Sequence, residues 1–381
     1  MPPDVREGPM GKIRVCQMIT ELRPAGAERC LYELATRLDR DRFDVRVVAL
    51  RGGAVADWLA EAGIRTDVLG VRGRWDVLKL GRLAAMLRAE QTDILHTHLF
   101  HADLAGRAGA FLAAVPNIVH TVHCTEERFR PWHFAFARFF SGSCQRIVCI
   151  SQSVLDSHSR RSGLPKQCYT VIPNGINVSA YARDDEARER LRCEWGLGQG
   201  ELLAAFVGRL IADKGIETLL GVMSHLASRG QPLHLVIAGD GPLRDVVGNY
   251  AKHGEGGRHC RVLGHVRDVP SVLSAADMLI SASRWEGFGL AVVEAMAASL
   301  PVAGTDVSGT RDVVVPDRTG LLVPVDNVVA LANAVERLAD DAALRRRLGR
   351  AGRRRAEQLF AIDNTVAAHE RLYQEIAAPG R

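Results

Sequence analysis

The sequence predicts an α/β protein built as two Rossmann-like domains facing across a deep cleft. Three observations carry this. Apolar strand-like runs trade places with helical patterns along the whole chain, the alternation resets once near residues 174–200, and 381 residues exceed one typical core.

The first strand is expected at Ile13–Ile19, ending near the turn Pro24-Ala25-Gly26-Ala27-Glu28. A helix follows with Leu31, Leu34, Ala35 and Leu38 at helical spacing, then a second strand over Phe43–Leu50. Further strands are read at Thr92–His98, Asn117–His123, Arg146–Ser151 and Tyr169–Ile172. Short connections and unbroken apolar runs favour a parallel sheet with helices on both faces. The second set begins at Leu202–Gly208 and continues through Leu233–Gly239, Cys260–Gly264, Asp277–Ser281 and Pro301–Gly304. The domains are therefore set at 12–173 and 174–360, with ligand expected in the cleft between them. A final helix, 361–379, is expected to cross back to the first domain. Residues 1–11 read as a loose leader without a signal-like apolar core.

Bulk properties exclude more than they assign. Apolar content of 47% and charged content of 24% are those of a soluble globular protein. The formal charge of +5 is compatible with phosphorylated ligands or an anionic membrane face, and no single-sign tail suggests a nucleic-acid arm. The eight cysteines form no CxxC pair, so free thiols in a reducing cytoplasm are preferred over disulfides or zinc. No clean run of about 20 apolar residues suggests a membrane span. The expected location is the cytoplasm, with peripheral contact at the inner membrane face kept open.

The most informative stretch is Trp285-Glu286-Gly287-Phe288-Gly289-Leu290-Ala291-Val292-Val293-Glu294. A glycine turn opening a helix offers unpaired amides to phosphate, and Glu294, about two turns along, could accept sugar hydroxyls. Gly208-Arg209 ends a strand and Asp213-Lys214-Gly215 opens the next helix, so one guanidinium and one ammonium can converge on a diphosphate. Ala238-Gly239-Asp240-Gly241-Pro242 is another turn after a strand, equally readable as a plain crossover.

His96, His98 and His101 cluster at one strand end, His120 and His123 at the next. A metal centre is disfavoured, since no DxD or HExxH accompanies them. Hydrogen bonding to substrate is assigned to His123, and structural roles to at least two others. The run from Phe129 to Phe140 holds six Phe and Trp rings, two arginines and a histidine. Packing of this helix against the sheet is preferred, with an interfacial or acceptor role open. The triplets Arg345–Arg347 and Arg353–Arg355 read as solvated helix faces. Gly26 and its neighbours could hold phosphate or acceptor. The absence of GxGxxG argues against a nicotinamide enzyme.

Together these motifs resemble the GT-B retaining glycosyltransferases of family 4 (group 1), over about Ile13 to Ile376. The Glu286…Glu294 pair is the most specific. Gly208-Arg209, Lys214-Gly215, Ala238–Pro242 and Thr319-Gly320-Leu321-Leu322-Val323-Pro324 support it. Ala25-Gly26-Ala27-Glu28 is similar to the family's GGAE with its first glycine replaced. Ser308-Gly309-Thr310-Arg311-Asp312 is similar to its GGxxE, and the shorter acid leaves the role of Asp312 open.

The resemblance implies GT-B architecture and a nucleotide-sugar donor, UDP- or GDP-linked, with no other cofactor and no metal. Arg209 and Lys214 would bind the diphosphate, Glu294 the ribose and Glu286 the transferred sugar. His123 would contact that sugar, and the amides of Phe288, Gly289 and Leu290 would meet phosphate or sugar. Arg209 and Lys214 would take the place of a divalent ion. The acceptor would be a glycan or lipid-linked glycan in polysaccharide or glycoconjugate synthesis. A sugar-nucleotide epimerase on the same fold and a non-catalytic sugar-nucleotide binding module remain the alternatives; a phosphorylase fits poorly.

Overall fold

The computed structural model describes residues 11–71, 76–124, 129–231 and 233–378, so most of the expected leader lies outside the described residues. The chain forms two compact units. One runs to Ile172 and resumes at Asp363; the other spans Pro173–Ile362.

The first unit alternates β1 (Ile13–Glu21), α1 (Gly26–Arg37), β2 (Phe43–Arg51), α2 (Val55–Glu61), β3 (Arg65–Val68), α3 (Val77–Ala89), β4 (Ile94–His98), α4 (Phe100–Ala113), β5 (Asn117–Val122), α5 (Pro131–Phe139), β6 (Arg146–Cys149), α6 (Gln152–Ser162) and β7 (Tyr169–Val171). Its seven parallel strands lie in the order β3-β2-β1-β4-β5-β6-β7. The helical spacing read in α1 is its core face, with Leu31, Leu34 and Ala35 buried, as is Leu38 just beyond. The edge strand β3 is short and half-exposed, which leaves little apolar pattern to read.

The second unit begins with α7 (Asp185–Glu194) and continues β8 (Leu203–Val207), α8 (Ile216–Ser228), β9 (His234–Ala238), α9 (Arg244–His253), β10 (Cys260–Gly264), α10 (Val269–Ala275), β11 (Met278–Ser281), α11 (Leu290–Ala297), β12 (Val302–Thr305), α12 (Ser308–Val313), β13 (Gly320–Val323), α13 (Val328–Asp340) and α14 (Ala342–Leu359). Its six strands are parallel, in the order β10-β9-β8-β11-β12-β13. The core packs Leu219, Met223, Leu235, Ile237, Ile280 and Leu331 between sheet and helices. In both sheets the strand order reverses once, at β1/β4 and at β8/β11. The carboxyl ends of strands flanking such a reversal form the natural ligand crevice of an open parallel sheet.

The last helix, α15 (Ile362–Ala377), packs on the first unit. Its Tyr373 is fully buried against Phe43, and its Glu370 accepts the Asp39 amide at 2.9 Å. Among the described residues no helix is long and apolar enough to cross a membrane.

The arginine triplets are the solvated faces expected only in part: Arg346, Arg347 and Arg354 are exposed, and the others are half-buried. Arg345 donates to the carbonyls of Leu338 (2.5 Å) and Ala339 (2.7 Å) near the end of α13. Arg353 donates to Ala297 O, which ends α11, and Arg355 to Asp312 O (3.1 Å) and Val313 O (2.7 Å), which end α12. A cation at a helix C-terminus satisfies carbonyls that lack an intrahelical donor and favours the helix dipole. Arg347 also donates to Asp317 O (3.3 Å), so four members of the two triplets fasten α14 to its neighbours.

Candidate functional site

In the second unit, the loops that follow β8, β9 and β11 are stitched together by backbone. Gly208 N donates to Ala238 O (3.0 Å), Leu210 N to Asp240 O (2.9 Å) and Leu243 N to Leu210 O (2.9 Å). A Cβ on Gly239 would stand 1.8 Å from Gly208 O, so only glycine permits this approach. Gly215, at φ +64°, presses on the β11 loop in the same way, its absent Cβ 1.8 Å from Ala282 O. Arg284 N donates to Asp213 O (2.8 Å) beside it. The turn Ala238–Leu243 thus braces the β8 loop, and Asp240 spends its carboxylate on Arg244 (2.9 Å) and the Gly241 amide (2.8 Å).

This frame brings Arg209, Lys214, Glu286 and Glu294 to the carboxyl ends of β8 and β11. Lys214 Nζ pairs with Glu286 Oε1, which also accepts from Ser283 Oγ at 2.9 Å. The lysine expected at phosphate and the acid expected at the sugar are therefore each other's partners in this structure. The exposed guanidinium of Arg209 makes no ion pair among the described residues. Glu286 O accepts from Gly309 N (3.2 Å) and Ser308 Oγ (3.4 Å), so the first residues of α12 hold the Glu286 backbone.

Phe288 is buried and Gly289 is the N-cap of α11, with no side-chain cap on the amides that open the helix. The helix begins only at Leu290, so Glu294 sits one turn in rather than the two expected; Glu286–Gly289 remain loop. Positions i and i+4 share a face, which sets the Glu294 carboxylate below Leu290. Glu294 is buried and accepts from Tyr181 OH at 2.8 Å. Thr319–Pro324, by contrast, spans β13 at the sheet edge, with Thr319 Oγ1 accepting from Val315 N (2.9 Å). Asp312 and its neighbour Val313 lend their carbonyls to Arg355.

The histidines of the first unit divide between the two faces of its sheet. On one, His96 is fully buried between Tyr373 OH (2.6 Å) and Thr121 Oγ1 (2.6 Å), and His98 Nδ1 meets His123 Nε2 at 3.0 Å. On the other, Thr97 Oγ1 bridges His120 Nδ1 (2.9 Å) and Asp103 (2.7 Å), which pairs with the buried Arg107 (2.9 Å). Burial pushes His123 down to about 3, with the nearby imidazoles adding repulsion. Burial likewise holds His96 and His98 well below the ordinary imidazole value. These rings are neutral at ordinary pH. Among the described residues no group of three His, Cys, Asp or Glu could hold a metal ion. Gly26 opens α1 at the carboxyl end of β1, again without a side-chain cap.

Two family models match the chain. One, described as Glycosyltransferase Family 4, covers residues 24–180; the other, described as Glycosyl transferases group 1, covers residues 187–355. The chain belongs to this glycosyltransferase family. An Escherichia coli relative, UDP-Gal:alpha-D-GlcNAc-diphosphoundecaprenol alpha-1,3-galactosyltransferase, is 26% identical, over 87% of this chain and 89% of its own. Alpha-maltose-1-phosphate synthase of Mycolicibacterium smegmatis is 27% identical over 96% of this chain and its full length. The fold matches Anabaena HepE, crystallised with UDP, at a TM-score of 0.86 and 20% identity, over 95% of this chain and all of that one. Such a likeness supports the GT-B fold.

Two residues at this glycosyltransferase's site carry no motif signal. Ser283 and Tyr181 donate to Glu286 and Glu294, and Tyr181 lies 113 positions from its partner. The aromatic run forms α5. Only Phe134 is buried in the helix, beneath Arg161 at 4.1 Å, while Phe136 touches Phe100 of α4. Phe139 is 81% exposed and Trp132 51%, so the preferred packing role describes one face of the helix only. No cysteine is in a disulfide; Cys16 and Cys149 are buried, and Cys193 is exposed.

Proposed function

We propose that this glycosyltransferase moves a hexose-type sugar from a UDP- or GDP-linked donor to a glycan or lipid-linked acceptor, with retention and without a metal ion. The reading rests on one observation: Arg209, Lys214, Glu286, Glu294 and the uncapped amides of α11 share one rigid frame at a sheet reversal. The names of the E. coli relative and of the UDP-bound Anabaena structure support a nucleotide-sugar donor.

In this mechanism the donor diphosphate takes Arg209, Lys214 and the amides of Gly289 and Leu290. Lys214 exchanges Glu286 for a phosphate oxygen, and Glu286 turns to the sugar hydroxyls. Glu294 accepts from the ribose. The anomeric C–O bond breaks with its electron pair on the diphosphate, whose charge is met by fixed cations and dipoles. The acceptor oxygen bonds to the anomeric carbon on the same face, and its proton passes to the departing phosphate oxygen. Glu286 forms no covalent intermediate. Neutral His123 exchanges a hydrogen bond with a sugar hydroxyl, and the open amides at Gly26 serve the acceptor.

A panel of UDP-, GDP- and ADP-sugars, read by thermal shift on the native protein and on Glu294→Ala and Arg209→Ala, tests the donor site. Loss of the shift in both variants supports the assignment; unchanged shifts refute it. Product anomeric configuration by NMR tests retention. Turnover abolished by chelation and restored by a divalent ion refutes the metal-free mechanism.

We also assign an anionic bilayer to the first unit as its partner surface. Phe111 (85% exposed) and Leu112 of α4 and Trp132 and Phe139 of α5 present apolar groups to solvent. Arg107 reaches from α4 to Phe140 O (2.7 Å), which brings the two helices together there. The helices α3, α4 and α5 carry Lys79, Arg82, Arg88, Arg107 and Arg138 against a single carboxylate, Asp103, which is buried on Arg107. Arg107 is spent on Asp103 inside the unit, and the remaining four cations beside exposed apolar side chains suit an anionic interface. Sedimentation with phosphatidylglycerol-containing vesicles should capture the native protein, and Phe111→Glu with Phe139→Glu should release it. Equal capture by phosphatidylcholine alone, or none, refutes the assignment.

A further inference from the structure

We infer that Tyr181 is a positioning residue for ribose recognition, holding the Glu294 carboxylate as an acceptor for the sugar diol. The inference rests on Glu294 as the ribose acceptor. Both side chains are about 96% or more buried, and Tyr181 OH donates to Glu294 Oε1 at 2.8 Å. A buried carboxylate keeps its charge only where donors meet it, and it then accepts without donating. One donor comes from the tyrosine, and the ribose hydroxyls arrive as further donors when the nucleotide binds.

The tyrosine is well placed to act as a fixed anchor. It ends the short turn Val178–Tyr181, whose approach is clamped where Ile176 N donates to Phe360 O (2.9 Å) and Ile362 N donates to Ile176 O (2.9 Å). Three residues later Asp184 N donates to Ser274 Oγ (3.1 Å). The hydroxyl is thus held from both sides in sequence, while Glu294 rides on α11. Without it, the carboxylate keeps its place on the helix but loses a fixed donor and gains rotameric freedom.

A site built to pair with a hydroxyl penalises the analogue that lacks it, because its own polar groups are left unmet. Calorimetric titration of the native protein, Tyr181→Phe and Glu294→Gln with UDP, GDP and their 2′-deoxy and 3′-deoxy forms reads this out. The native protein should prefer the ribo form by about ten-fold or more over at least one deoxy form. Tyr181→Phe should weaken the ribo form about ten-fold, leave that deoxy form within about two-fold, and raise KM for the donor with kcat little changed. In the Glu294→Gln background the same change should have no further effect. Equal weakening of both forms, or no change in either, overturns the positioning role and leaves Glu294 in place. A native protein that does not discriminate at all overturns the ribose reading of Glu294 itself.

Discussion

Removing the charge of Glu286 should strengthen binding of the leaving group while destroying transfer. In this structure Lys214 is neutralised by Glu286, with the two side chains 23% and 14% exposed. A diphosphate must therefore draw the ammonium away from a part-buried, charge-assisted hydrogen bond. Such bonds contribute about 1.5–3 kcal/mol, and partial exposure argues for the lower end. In Glu286→Gln that exchange costs less, and the carboxylate no longer repels the phosphates. Affinity for free UDP or GDP should rise about ten-fold, since about 1.4 kcal/mol is a factor of ten. Turnover should fall at least about 100-fold, because the acid proposed to take the sugar hydroxyls is gone. Titration calorimetry against both nucleotides, at two salt concentrations, with initial rates on the same preparations, checks both halves. Unchanged or weaker nucleotide binding in Glu286→Gln would refute the idea that Lys214 is held in reserve by its partner.

Arg209→Ala should weaken nucleoside diphosphate binding about ten-fold or more with little change in melting temperature, since its guanidinium makes no ion pair among the described residues; a destabilised variant would show a structural role instead. Gly215→Ala should cost about 2–4 kcal/mol or fail to fold, because φ is +64° and a Cβ meets Ala282 O; denaturant unfolding reads this, and a neutral change would contradict the stitched loops. Acid should loosen the first unit. His123 and His369 titrate near 3 and 4 when folded, against about 6.5 unfolded, so the unfolded chain takes up protons first as pH falls. Their stabilising effect is full above about pH 6.5 and declines below it, by up to about 1.4 kcal/mol per pH unit for each ring. Hydrogen exchange at pH 7 and pH 5 should show β4 and β5 losing protection before β8 and β9, and uniform loss would speak against it.

The alternating fold was legible because both faces of a parallel sheet are buried. Its strands, such as Leu203–Val207 and Leu235–Ala238, then read as unbroken apolar runs between glycine turns. The edge strand β3 lacks that burial and leaves almost no pattern. The same logic explains the arginine triplets. A single helix shows only charge recurring at consecutive positions. Whether Arg353 faces water or Ala297 O depends on a helix end 56 residues away.

The site divides along a similar line. Residues whose role needs a particular local backbone announce themselves: Gly239 permits a contact no side chain would survive, and Gly289 opens α11 without covering its amides. Residues whose role is to hold another side chain do not. Ser283 and Tyr181 are ordinary polar positions until Glu286 and Glu294 are brought against them. The pairing of Lys214 with Glu286 also depends on the fold, since 72 residues separate them. Two charges that motif logic assigns to different parts of a donor become one neutral pair at the meeting of the β8 and β11 loops. That pairing changes what the lysine can contribute. It offers its charge only to a ligand anionic enough to displace a carboxylate, and a diphosphate is better suited to this than a neutral sugar. Under the proposed function, the pair holds the lysine back from neutral sugars and releases it to a pyrophosphate group.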